Sequence, residues 1–236
     1  MNRNLIRVTT VGAALGAASF IAPAFASAAP VSESNCAKVS TPVDAAGWGN
    51  PFPDEQGQEG RLSATNVKDS DGSLQFVTTQ QTPRQASYHA AGELPLADLV
   101  AGDNPLTFDK GEGQANWQIR VTGANTDSGD GFATLVWSAP EGATTADATS
   151  SNEWWATREL PGIPRGAKAT LAELTAAANS GDHKTVINHY GVSSQPVGTA
   201  GKVNVDNISF NGCTTNFAAT GAGAAFGSLE NVLPGR

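Results

Sequence analysis

The stretch GKVNVDNISFNGCTTNF, residues 201–217, decides the fold. Val203 and Val205 hold one phase of a two-residue alternation, whereas Ile208 and Phe210 hold the other. Successive side chains of a strand point to opposite faces, so one extra residue near Asp206 and Asn207 must reset the phase, as a β-bulge does. Asn211-Gly212 then separates two strand-like runs. A type I′ turn needs positive φ at both central residues, and Asn-Gly supplies it readily. The spacing predicts a tight hairpin with Cys213 heading its second strand.

Upstream, short runs rich in β-branched and aromatic residues recur between Gly, Asp and Asn clusters. They are RLSATNV, SLQFVTT, QASYHAA, LTFDK, NWQIRVTG, GFATLVW, EWWATR and KTVINHYGV. In NWQIRVTG, Trp117, Ile119 and Val121 alternate with Gln118, Arg120 and Thr122, the pattern of a half-buried strand. With the two runs of the closing hairpin, about ten such segments predict an all-β protein, an antiparallel jelly-roll sandwich. One helix is expected over about 170–180. Thr170 and Glu173 form a capping box there, Leu171 and Leu174 share a face, and Gly181 closes the segment.

The ends read differently from this body, which spans 61–217. Arg3 and Arg7 precede an apolar, alanine-rich stretch from Val11 to Ala24 and then AFASAAP, so residues 1–28 read as a secretory signal peptide. Its core is short for a membrane span, and no second long apolar run follows. Residues 29–60 are loop-rich, with Trp48 and Phe52 as anchors onto the body, and 218–236 reads as a flexible tail. Export makes the compartment oxidising. Cys36 and Cys213, the chain's two cysteines, are then expected as one disulfide tying the N-terminal segment to the last strand.

Charge narrows the partners. The formal net charge is −8, and removal of Arg3 and Arg7 takes it from 14 − 22 to 12 − 22, or −10. An acidic chain without a Lys/Arg cluster releases few phosphate counterions, which excludes nucleic acid and disfavours anionic membrane. The expected location is outside the cell or in the cell wall.

Catalytic signatures are missing. There is no GxSxG elbow, and His89, His183 and His189 lack metal-ligand spacing. Glu153 and Glu159 are six residues apart, about 20 Å along a strand, too far to share a glycosidic bond. The chain is therefore expected not to be an enzyme. No cofactor is required, although Asp69 and Asp71 in KDSDGS and Asp127 and Asp130 in NTDSGDGF are calcium-ligand candidates. Ordinary tight turns select the same Asp-Gly chemistry, so a purely structural reading stands beside the calcium one.

NEWWATREL, residues 152–160, supplies the binding candidates. Adjacent strand residues cannot enter one core, so Trp154 and Trp155 must face opposite ways. Glu153, Trp155, Thr157 and Glu159 form the more polar phase, which assigns Trp155 to a cleft and Trp154 to the core. Pyranose rings stack on indoles while neighbouring polar groups bind hydroxyls, so Trp155, Thr157 and Glu153 are candidate ligand contacts. Alternatively, the loop LPGIPRG, residues 160–166, covers Trp155 and no ligand is involved.

Four segments in order, GFATLVW (131–137), WWATRELPGI (154–163), TLAEL (170–174) and VNVDNISFNGCTTNF (203–217), resemble a group of exported, uncharacterised actinobacterial β-sandwich proteins. The resemblance implies a jelly roll similar in outline to concanavalin-like and carbohydrate-binding modules, and it supplies no catalytic residue. This chain departs from the pattern by carrying Thr215-Asn216-Phe217 where Tyr-Asp-Phe is common, and Cys213 where a small polar residue is usual. The loss of that aspartate weighs against a metal at the hairpin. The expected function is binding of polysaccharide or cell-wall glycan. The alternatives are a structural or adhesive envelope protein without a small ligand, and a hydrolase.

Overall fold

The computed structural model describes Cys36 and residues 38–102, 104–198 and 200–219. The expected leader, residues 1–28, and the tail beyond Ala219 lie outside them. The described residues form a two-sheet, all-β sandwich. One sheet holds β1 (Val39–Ser40), β2 (Arg61–Ser63), β3 (Ser73–Thr78), β5 (Thr107–Lys110), β8 (Thr145–Asp147), β11 (Gly201–Phe210) and β12 (Cys213–Phe217). The other holds β4 (Gln85–Pro95), β6 (Asn116–Thr122), β7 (Ala133–Ser138), β9 (Trp155–Ala156) and β10 (Val186–Ser194).

The first sheet runs β1-β12-β11-β3-β2, with β5 on β11 and β8 on β5. The second runs β4-β10-β6-β7-β9. The chain repeatedly crosses between the layers, and every pairing is antiparallel except β1 on β12. Hydrophobic alternation drives this arrangement. Trp117, Ile119 and Val121 of β6 and Leu135 and Trp137 of β7 point inward, meeting Phe76, Phe108, Val203, Val205 and Phe210. Tyr190 stacks on Phe210 with ring centroids 3.9 Å apart, joining the layers. Each large apolar side chain buried in this way stabilises the fold by about 1.5–3 kcal/mol.

The closing hairpin forms as its sequence predicts. Asn211 and Gly212 have φ of 46° and 82°, and Phe210 pairs with Cys213 across the turn. The pairing of β11 with β5 shifts register between Asp206 and Ser209, and Asn207 adopts φ of 49°. Cys36 is bonded to Cys213, with the Cα atoms 5.8 Å apart. The helix α2 (Leu171–Ala178) carries the complete Thr170–Glu173 capping box. A second helix, α1 (Leu96–Ala101), packs against α2 through buried Leu96 and Leu99. It is too short to show a helical period in the sequence, and β1 and β8 are likewise too short to signal themselves. Among the described residues no helix is long and apolar enough to cross a membrane.

The segment before β2 is anchored by aromatics. Trp48 packs edge-on against Tyr190 and Phe217 and donates its indole N–H to Thr215 Oγ1 at 3.2 Å. Gly49 exchanges backbone hydrogen bonds with Tyr88, and Gln58 accepts one from Ala86, so this segment lines the outer edge of β4.

Candidate functional site: an open cleft on the outer sheet face

With the apolar side chains of the five-stranded sheet turned inward, strand alternation sends a polar set outward. Two ladder rows define this face. Tyr88, Gly191, Gln118, Val136 and Trp155 pair successively across β4, β10, β6, β7 and β9. The next row runs through Ala90, His189, Arg120 and Thr134, and Thr157 continues it by accepting from the Thr134 N–H at 2.9 Å. A cleft of about 510 Å³ lies over the β6, β7 and β9 part of these rows, from Gln118 to Trp155 and from Arg120 to Thr157.

Its floor is tied together before any ligand arrives. Gln118 Nε2 donates to Ser193 Oγ at 2.9 Å, Asn116 Nδ2 reaches the same oxygen at 3.5 Å, and Gln114 Nε2 donates to Asn116 Oδ1. Amides held in this way present donors and acceptors at fixed positions, which lowers the ordering cost of binding hydroxyls.

One end of the cleft is built on Glu55. The 3₁₀ turn Pro53–Glu55 brings this carboxylate between two arginines, with Arg84 Nη1 at 2.8 Å and Arg120 Nη1 at 2.9 Å. Burial works to raise the Glu55 pKa. Hydrogen bonds from Arg84 and Asn50, with the charges of Arg84 and Arg120, outweigh it and hold the carboxyl below its ordinary 4.5. The Arg120 guanidinium also lies 3.5 Å from the Phe52 ring centroid and 4.9 Å from that of Phe132, both cation–π distances. Burial lowers the pKa of nearby His89 and His189, with the Arg120 charge adding to the effect at His189.

The opposite wall is formed at the tryptophan pair, by one member of it. Trp154 is 0% exposed and donates its indole N–H to Ala148 O at 3.0 Å. Trp155 is half-buried and lines the cleft beside Val136. The loop at 160–166 closes on itself through Leu160 and Ile163, and Gly166 N–H caps the Ala156 carbonyl at 3.1 Å. None of its residues lines the cleft. Thr157 lines it as well. Glu153 does not: it is exposed, and its carboxylate lies 4.0 Å from Lys168 Nζ.

Alternation misplaces Arg158 as well as Glu153 and Glu159, which share the phase of Trp155 but do not line the cleft. Arg158 shares the phase of Trp154 in the sequence, yet it lines the cleft because the strand ends at Ala156 and the chain bends at Thr157 and Arg158. Arg158 Nη1 makes only a 3.4 Å bond to Thr157 O, and its buried Nε has no hydrogen-bond acceptor among the described residues. Sequence reasoning also missed Glu55, Arg84 and Arg120 as a unit. They come from three distant segments and carry no shared motif.

The acidic turns separate into two cases. Asp130 Oδ1 accepts from Ser128 Oγ at 2.7 Å and from Phe132 N–H at 3.0 Å, the internal bonding of a tight turn. Neither it nor Asp127 joins a carboxylate cluster among the described residues. Asp69 and Asp71, by contrast, converge with Asp206 from the β11 bulge, and one carboxylate oxygen of each lies within 4.8 Å of the others. Burial, opposed by the Phe217 and Asn207 N–H groups and reinforced by the charges of Asp69 and Asp71, pushes Asp206 up to about 6. Gly72 has φ of 132°, and a Cβ there would meet Ala219 N at 2.6 Å, so only glycine lets this turn close on the end of β12.

No protein-family model and no curated protein matches the sequence. Among solved structures, the chain is similar to a family 28 carbohydrate-binding module specific for non-crystalline cellulose, at 14% identity, with a TM-score of 0.30. The match covers 72% of this chain and 89% of that one. A likeness at that level carries no functional argument. The all-β sandwich stands on the strand pairing and core described above.

Proposed function

We propose that this is an exported, non-catalytic β-sandwich that binds polysaccharide or cell-wall glycan in the outer-face cleft. The observation that carries the reading is the placement of the Trp155 indole on one wall of an open cleft whose floor is a pre-bonded row of amides and hydroxyls. The indole stacks on the C–H face of a sugar ring, while Gln118, Asn116 and Thr157 bond its hydroxyls. Arg158, whose side chain lines the same wall, supplies a further donor to a hydroxyl or carboxylate. Export is supported by the leader-like residues 1–28 and by the disulfide.

Binding is favoured over hydrolysis by the chemistry of the cleft's carboxylates. Asp54 and Glu55 are the acidic residues lining it. A glycosidase acid keeps its proton near neutrality through a raised pKa, whereas Glu55 is shifted the other way by its arginines.

Affinity electrophoresis through gels containing cellulose derivatives, xylans, glucans, mannans or uronate polymers tests the reading. Retardation by at least one polymer, without release of reducing sugar, is expected. Uniform mobility in all gels and in pulldowns with isolated cell walls would overturn it in favour of a structural or adhesive envelope protein.

A further inference from the structure

Asp206 is 0% exposed, and its two oxygens differ in a way that calls for a cation. Oδ1 accepts from Asn207 N–H at 2.8 Å and from Phe217 N–H at 2.9 Å. Oδ2 has no donor. A buried ionised oxygen without a partner is costly, so proteins pair such groups or give them a metal. Two further buried oxygens nearby are in the same condition. Asp71 Oδ1 and Asn216 Oδ1 lack donors among the described residues, although Asn216 Nδ2 donates to Asp71 Oδ2 at 2.8 Å.

The fold explains why these acceptors meet. On one flank of β11, β3 pairs with residues 201–205 and β12 pairs with residues 208–210. Asp206 and Asn207 fall in the gap between those partners, where the bulge lies. The turn before β3 delivers Asp69 and Asp71 to the gap, and β12 delivers Asn216. Ala219 N–H ties down the Asp71 carbonyl at 2.8 Å.

We infer that Asp69, Asp71 and Asp206, with the Asn216 amide oxygen, form a calcium site that locks the turn before β3 to the closing hairpin. Calcium–oxygen distances of about 2.3–2.6 Å allow two oxygens on one ion to lie up to about 5 Å apart, which accommodates the 4.8 Å limit of this cluster. The donor set is all oxygen, which favours a hard cation over zinc, whose sites draw mainly on thiolate and imidazole. Exposed Asp69 opens one side to water, which completes the six to eight ligands calcium takes. The site belongs to the seven-stranded sheet and is independent of glycan binding on the other layer.

Calorimetry and thermal unfolding of the disulfide-bonded protein, stripped with EDTA and titrated with calcium chloride or magnesium chloride, test this inference. One calcium per chain is expected, with Kd on the order of 10⁻⁴ M or tighter and a Tm rise of about 5 °C or more at saturation. Asp206→Asn should weaken binding at least about tenfold while folding without calcium, because an amide oxygen still accepts the two N–H groups. Asp69→Asn, an exposed change that leaves the core intact, should also weaken it, whereas Asp130→Asn should bind as wild type. The inference is overturned if wild type takes up no calcium at millimolar concentration, if the response survives both Asp69→Asn and Asp206→Asn, or if magnesium binds as tightly.

Discussion

Trp154 and Trp155 are chain neighbours on opposite sides of one sheet, the first sealed in the core and the second on the wall of an open cleft. Their substitutions should therefore separate stability from binding. Trp154→Ala removes a fully buried indole and its hydrogen bond to Ala148 O, and it should cost about 3–5 kcal/mol by urea denaturation. Trp155→Ala should cost about 1 kcal/mol or less and abolish glycan retention. Equal destabilisation by both would mean that Trp155 is a core residue.

Arg120 joins the β6 strand to the N-terminal segment through both Glu55 and the Phe52 ring. Arg120→Ala should destabilise by about 2–4 kcal/mol, because it leaves Glu55 with one arginine and removes the cation above Phe52. Glu153→Ala, which removes a 4.0 Å ion pair with exposed Lys168, should fall within about 0.5 kcal/mol of wild type. Paired chemical denaturation curves for the two variants check the contrast.

Acid should erase the contribution of Glu55. Its folded pKa lies below its ordinary 4.5, so on acidification the unfolded chain takes up this proton first. The stabilisation is complete above about pH 4.5 and is lost as pH falls through the folded value. Glu55→Gln should therefore be less stable than wild type at pH 7, with the gap closing as pH falls below 4.5. A gap that stays constant from pH 7 to 3.5 would show that the carboxylate charge contributes nothing.

Local chemistry in the chain was largely legible. The Asn211-Gly212 turn, the bulge at Asp206, the capping box at Thr170, the disulfide and the opposed tryptophans each follow from a few adjacent residues or from a lone cysteine pair. The cleft was legible only in part. Trp155 and Thr157 follow from alternation, but Arg158 reaches the same wall through a bend that alternation cannot anticipate. Glu55, Arg84 and Arg120, and likewise Asp69, Asp71 and Asp206, meet only through strand order, which sequence separations of up to 137 residues conceal. The Asp69–Asp71 turn looked equivalent to the Asp127–Asp130 turn for the same reason. Only the first lies beside the bulge.

The disulfide spans 177 residues and fastens the segment before β1 to β12. Chain-entropy reasoning gives an upper contribution of about 5 kcal/mol for such a loop. The Cys36→Ser, Cys213→Ser protein should accordingly lose about 2–5 kcal/mol while keeping the cleft's affinity, since the bond lies on the other sheet. Stability equal to wild type in denaturant titration would remove its structural role.

The most direct measurement is a tryptophan-fluorescence titration with the polysaccharide that retards the protein most strongly, comparing wild type with Trp155→Ala. Wild type should give a saturable change in intensity or emission maximum, and Trp155→Ala should show neither that change nor binding by calorimetry while remaining folded. Binding by Trp155→Ala with unchanged affinity, or no response of wild type to any glycan, would contradict recognition at this cleft.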